Sequence, residues 1–300
     1  MRRLAGIELG GTKTIVVLGS RGIIAQQIEF ATTSADKTLG HALEALARWH
    51  AEEPLDALGI ASFGPVRVNR DDADYGRMLD TPKPGWSDAA IVAPFAQGLG
   101  CPLALDTDVN AAALGEYHHG AGTGCSSLAY ITIGTGIGGG VLVGGEPVHG
   151  MLHPELGHVR LRRASGDRFA GACRFHGDCI EGLLSGPALA ARFGCHPGEI
   201  AAGDPRWRPV VHDLAELIAM LILALSPQRI IIGGGVSQRQ PHLLACAREH
   251  VPAILGGYLR DCTPQRLAQM IVPPMLGGDA GPMGALELAA RAYDASRAAG

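Results

Sequence analysis

Three hundred residues, 47% apolar and 18% charged with a formal net charge of −4, exclude several classes at once. The 43 glycines follow no three-residue period, which excludes collagen, and the apolar share with small net charge excludes disorder. No stretch reaches the roughly 18 to 20 apolar residues of a membrane span, no basic run suggests nucleic acid, and seven scattered cysteines make no disulfide framework. The start, Met1-Arg2-Arg3, lacks the apolar core of a signal peptide because Glu8 and Lys13 interrupt it, so a cytoplasmic protein is expected.

Taken in chain order, a strand at Gly6–Leu9, the turn Gly10-Gly11-Thr12-Lys13 and a strand at Thr14–Leu18 predict a hairpin. Apolar residues at Leu39, Ala42, Leu43, Leu46 and Trp49 predict a helix to His50. A buried strand at Leu58–Ser62 runs into Phe63-Gly64-Pro65, and two prolines make Thr81–Trp86 irregular. A strand at Pro102–Leu105 precedes a helix at Asn110–His118. Residues 128–143 then repeat the opening pattern, with Leu-Ala, an alternating strand, a Gly/Thr turn and a β-branched strand. Leu214–Leu225 reads as a buried helix, and Ile230–Ile232 as a buried strand ending in Gly233-Gly234-Gly235. The reading is a duplicated α/β protein with units at 1–118 and 119–300, joined near Gly120–Gly124.

Backbone N–H groups approach phosphate oxygens closely only where no Cβ intervenes, and an inward-facing turn makes an anion nest. Gly10, Gly11, Thr12 and Lys13 fit that role, as do Gly134, Thr135, Gly136 and Gly138; Gly234 and Gly235 end a buried strand where a flat base can lie. Neither turn has Walker A spacing. Gly134, Gly136 and Gly139 match a dinucleotide fingerprint but sit between two strands, which excludes a Rossmann reading. One nucleotide held by three glycine runs accounts for all of them, and places the glycine excess where phosphate chemistry needs it.

These stretches, with Thr81–Trp86, Asp106–Glu116, His153–His158 and Cys173–Glu181, run in an order that resembles the ROK sugar kinases of the actin-like ATPase superfamily, the fructokinase branch most closely. The resemblance implies duplicated ribonuclease H-like domains with an interdomain cleft, ATP and Mg2+ as cofactors, a hexose substrate and a homodimer. It also implies that no DNA-reading module precedes the first turn. Asp108, which alone reads as a helix N-cap, becomes the catalytic base. Gly64, Glu155, His158 and Glu181 become hexose contacts beside Asp108. Glu8 stands where many relatives have Asp and is a candidate for the magnesium shell. Lys83 and Trp86 fall in a loop near the sugar; Trp86 reads equally well as a packing residue. Asp106 is read as structural.

His158, Cys173, His176 and Cys179 offer two imidazoles and two thiols at a spacing that wraps one ion. Four such ligands suit a closed tetrahedral Zn2+ site in an insert at about 153–182. His149 and His153 lie close in sequence but are read as non-ligands. Fructose phosphorylation is the expected activity. Phosphorylation of glucose, mannose or N-acetylglucosamine, and a non-catalytic sugar sensor, are the alternatives.

Overall fold

The first hairpin forms from two nearly continuous apolar runs that are buried on both faces. In the computed structural model, which describes residues 2–298, β1 (Leu4–Leu9) pairs antiparallel with β2 (Lys13–Ser20), from Leu4 opposite Gly19 to Leu9 opposite Thr14. An edge strand that the sequence reading omits, β3 (Ile23–Ala31), pairs antiparallel with β2. Its polar Gln26, Gln27 and Glu29 keep it largely exposed, so the buried alternation that marks a core strand is weak. After α1 (Ala35–Glu52), β4 (Ala57–Ser62) joins β1 in parallel. Then come α2 (Ala93–Leu99), β5 (Leu103–Thr107) parallel to β4, and α3 (Asp108–His119). The sheet order is β3-β2-β1-β4-β5.

The second half repeats this plan. β6 (Ser127–Ile133) pairs antiparallel with β7 (Ile137–Val143), and the two-residue β8 (Glu146–Pro147) follows. Short helices α4 (Ile180–Leu184) and α5 (Gly186–Phe193) precede the long α6 (Trp207–Leu225). β9 (Arg229–Gly233) runs parallel to β6 and leads into α7 (Gly235–Arg239), α8 (His242–Ile254) and α9 (Pro264–Met270). β10 (Ile271–Val272) pairs parallel with β9, so four of the five strands of this sheet run in the order β10-β9-β6-β7. In each half an antiparallel hairpin is extended on its first strand by two parallel strands, which is the duplication expected. α6 carries eleven buried residues and packs into the core of the second half. Among the described residues no helix is long and apolar enough to cross a membrane.

The closing helix α10 (Ala280–Ala298) changes the expected division of the chain. Residues 1–124, 145–154 and 275–300 form one compact unit, and 125–144 with 155–274 the other. The C-terminal helix groups with the first unit, whereas the sequence places it in the second. The cause is packing: α10 buries twelve residues, from Ala280 to Ala292, in the first unit. Glycines make this approach possible. A Cβ on Gly284 would overlap the Ala111 carbonyl of α3, and one on Gly59 would overlap the Ala285 carbonyl. Overpacking of that kind costs about 1–3 kcal/mol. The glycine excess thus serves two ends, helix packing as well as turns, and the view that it concentrates at phosphate sites is corrected.

Candidate functional site

The turn between β1 and β2 has all four of its carbonyls tied back. Thr32 Oγ1 donates to the Gly10 carbonyl at 2.8 Å, and Lys83 Nζ donates to that of Gly11 at 2.6 Å. The Thr32 N–H takes the Thr12 carbonyl at 2.9 Å, and the Gly10 N–H takes that of Lys13 at 3.0 Å. Thr32 spends its one proton on Gly10, so Thr14 Oγ1, 2.8 Å away, donates to Thr32. Neither the Gly11 nor the Thr12 N–H donates to another of the described residues, and an added Cβ at Gly11 would meet open space. Such a turn offers N–H groups to an anion. Lys13 holds Glu29 at 3.0 Å on the exposed side. Burial pushes the Glu8 carboxyl up to about 7, against the opposing pull of Lys13.

In the second unit the corresponding turn is tighter. The ladder closes at Ile133 opposite Ile137, so only Gly134, Thr135 and Gly136 form the bend. Gly138 lies inside β7 opposite Thr132, not in the turn as the sequence reading has it. The Glu181 carboxylate accepts the Ile137 N–H at 3.1 Å, and the Gly134 carbonyl accepts the Gly186 N–H at 2.8 Å. A Cβ on Gly136 would stand 2.7 Å from Glu181 Oε2. Gly234 has φ of +91° and its missing Cβ clears the Ile133 backbone, so the chain passes from β9 into Gly235 of α7 only as glycine.

Asp108 opens α3 at the end of β5. The cap is Thr107, whose Oγ1 accepts the Asn110 N–H at 3.1 Å, so Asp108 is not the N-cap residue. Its Oδ1 accepts the Val109 N–H at 2.9 Å. Asp106 is buried and holds the junction together: its Oδ1 accepts from the Thr107 N–H and Asn110 Nδ2, both at 2.7 Å. His149 Nε2 lies 3.0 Å from Asp106 Oδ2, and this bond raises the His149 pKa above its usual value. The structural role read for Asp106 holds, while His149 is a partner the sequence reading missed. No local spacing could have revealed it. His153 Nε2 accepts the Val66 N–H at 3.2 Å, and burial lowers its pKa. Gly64 lies two residues beyond β4. Trp86 is fully buried, its Nε1 donating to the Thr33 carbonyl at 2.7 Å, and it packs edge-on against Phe63. Packing is therefore what this structure gives Trp86.

His158, Cys173, His176 and Cys179 bring one ligand atom each to within 4.8 Å of one another, and His149 and His153 are not in the group. Cys179 Sγ lies 3.6 Å from His158 Nδ1; Cys173 Sγ lies 3.9 Å from the same atom and 3.8 Å from His176 Nδ1. Zinc bonds of about 2.3 Å to sulfur and 2.0–2.1 Å to nitrogen in a tetrahedron put sulfur and nitrogen about 3.6 Å apart. The donor set and its spacing fit that ion. Burial pushes the Cys179 thiol up to about 11, a shift that a bound cation reverses. Glu155 precedes the short helix that carries His158. Its surface is exposed, yet desolvation of the carboxyl and then the Glu181 charge lift it to about 7. Cys101, Cys125, Cys195, Cys246 and Cys262 are partly buried free thiols.

The chain is 39% identical over 288 residues to the fructokinase of Pediococcus pentosaceus, covering 95% of this chain and 97% of that protein. It is 38% identical over 290 residues to the fructokinase of Zymomonas mobilis, covering 94% and 95%. A solved ROK family glucokinase from Streptomyces griseus, in complex with glucose and AMPPNP, superposes with a TM-score of 0.75 at 28% identity, covering 96% of this chain and 99% of that one. The family model described as ROK family matches residues 4–292. With both turns, the β5–α3 junction and the four-ligand cluster in place on a duplicated fold, the chain belongs to the ROK family.

Proposed function

We propose that the protein is an ATP-dependent sugar kinase that converts D-fructose to D-fructose 6-phosphate. The observation that carries the chemistry is the first glycine turn, whose four carbonyls are all held away from the Gly11 and Thr12 N–H groups. Fructokinases from two organisms, each at least 38% identical over nearly the whole chain, support the choice of sugar.

In this reading Gly10, Gly11, Thr12 and Lys13 hold one end of the ATP phosphates, and Thr135 and Gly136 the other. Gly234 and Gly235 lie against the nucleoside. Phosphoryl transfer asks mainly for an in-line hydroxyl, a proton acceptor and compensated charge. Asp108 accepts the proton of the C6 hydroxyl as that oxygen bonds the γ-phosphorus and the bond to ADP breaks. Thr107, Asp106 and Asn110 fix the junction from which Asp108 projects. Gly64, Glu155, His158 and Glu181 bind and orient the sugar hydroxyls. Glu8, whose carboxyl burial lifts to about 7, would hold the water shell of Mg2+, which when bound screens phosphate charge. His158, Cys173, His176 and Cys179 hold Zn2+, which when bound is structural and sets the His158 ring for the sugar. The same reading has the enzyme cytoplasmic and homodimeric, and light scattering on the purified chain tests the second point.

The deciding experiment is ADP release measured across fructose, glucose, mannose and N-acetylglucosamine, with and without Mg2+. Magnesium-dependent release, greatest with fructose, is the expected result. Greater release with another hexose would displace fructose, and no release with any sugar would leave a non-catalytic sugar sensor.

A further inference from the structure

Lys83 stands far from the first turn in sequence, in the irregular Thr81–Trp86 loop, yet its ammonium closes on that turn. Nζ donates to the Gly11 carbonyl at 2.6 Å and to the Thr32 carbonyl at 3.3 Å. A trans peptide is planar, so its C=O and the following N–H point in opposite directions. Drawing the Gly11 oxygen toward Lys83 therefore turns the Thr12 N–H away from Lys83. Gly11 has no side chain to resist rotation, and its missing Cβ faces open space. Without the tie, the Gly11–Thr12 peptide is free to flip and to aim a carbonyl where a phosphate must sit. The loop end that carries Lys83 is itself anchored, because Trp86 is buried and bonded to Thr33, next to the Thr32 that takes the second Lys83 proton.

We infer that Lys83 is a positioning residue for the ATP phosphates, acting through the Gly11 carbonyl to present the Thr12 N–H. The inference rests on Gly10–Lys13 being a phosphate turn. It assigns Lys83 to nucleotide handling, not to hexose choice, although its loop lies near the sugar by family resemblance. Thr32 works on the same turn through the Gly10 carbonyl. Two ties on one turn should be coupled energetically, whereas a lysine that touched phosphate directly would act independently of Thr32.

The test is steady-state kinetics of Lys83→Met, Lys83→Arg, Thr32→Val and the Lys83→Met/Thr32→Val double variant, with the melting temperature of each as a folding check. Lys83→Met should raise KM for Mg-ATP about tenfold, the scale of a lost charged hydrogen bond, and leave KM for the hexose unchanged. Lys83→Arg should recover most of the loss, since it keeps a charged donor. The double variant should lose less than the product of the two single effects. A rise confined to the hexose KM, a fully multiplicative double variant, or wild-type kinetics in Lys83→Met would each overturn the inference. Gly11→Val, whose side chain enters open space, tests the underlying reading separately by equilibrium binding of Mg-ATP. Unchanged binding there removes the phosphate turn itself. Lost binding there beside a normal Lys83→Met removes only the role of Lys83.

Discussion

The two glycine turns occupy matching places in the duplicated fold but are held by different means. The first is fastened through its own carbonyls, by Thr32 and the Lys83 ammonium within the first unit. The second is fastened through an N–H, which the Glu181 carboxylate accepts. Glu181 stands two residues after Cys179, a member of the four-ligand cluster. One turn therefore depends on hydrogen bonds made by distant neutral or cationic groups. The other depends on a carboxylate carried by the short helix α4. Duplication has preserved the strand plan and left the supports of each turn to diverge.

That contrast can be broken, starting from the largest expected effect. Asp108→Asn belongs to neither turn and sets the reference: turnover should fall by about a thousandfold, the range of a lost general base. Hexose affinity, nucleotide affinity and zinc content should stay close to wild type. Near-normal turnover would remove Asp108 from the mechanism.

Metal removal should separate the turns. Elemental analysis should find about one zinc per chain, and Cys179→Ser should lose it together with part of the melting temperature, because metal binding energy contributes to folding. Mg-ATP binding should weaken by about tenfold through the loosened Glu181, on the scale of one charged hydrogen bond. Hydrogen exchange at residues 10–13 should be unchanged. If exchange there rises as much as at residues 134–137, the supports of the two turns are not independent.

Glu181→Gln is the milder version of the same experiment, since the amide oxygen can still accept from Ile137. A rise of a few-fold in KM for Mg-ATP, with zinc retained, is expected from the weaker neutral bond. Zinc loss in this variant would instead make Glu181 part of the metal site.

The smallest effect is on pH. The Glu8 carboxyl is raised by burial to about 7, above its ordinary value of 4.5, so the folded protein keeps a proton that the unfolded chain releases. Stability attributable to this group is therefore full below about pH 4.5 and declines as pH rises to about 7. Glu8→Gln should flatten part of that decline in melting temperature, and only part, because Glu155 titrates in the same window. An unchanged profile would show that Glu8 is not held in its neutral form.

Much was legible from residue order alone because the signals were local. Nearly continuous apolar runs over Gly6–Leu9 and Leu128–Ile133 set strands, and the glycines between them set the turns. The Cys173-x-x-His176-x-x-Cys179 spacing needs few residues of chain to wrap an ion, and the fold brings His158 to the same cluster. Asp108 was singled out through the motif that surrounds it. The edge strand β3 and the helix α10 were not found. One is too exposed, and the other too evenly buried among small residues, to carry a clear periodicity.

What only the tertiary structure decided are the partners separated by long stretches of chain. Asp106 meets His149 across 43 residues, and Lys83 meets the Gly11 carbonyl across 72. Residues 275–300 close the first unit because Gly59 and Gly284 let a helix lie against the sheet and α3. Sequence by itself determined the fold class and the place of both turns, since strand patterning and the glycines between strands are local signals. How those turns are supported depends on which distant groups the packed backbone brings within about 3 Å, the reach of a hydrogen bond.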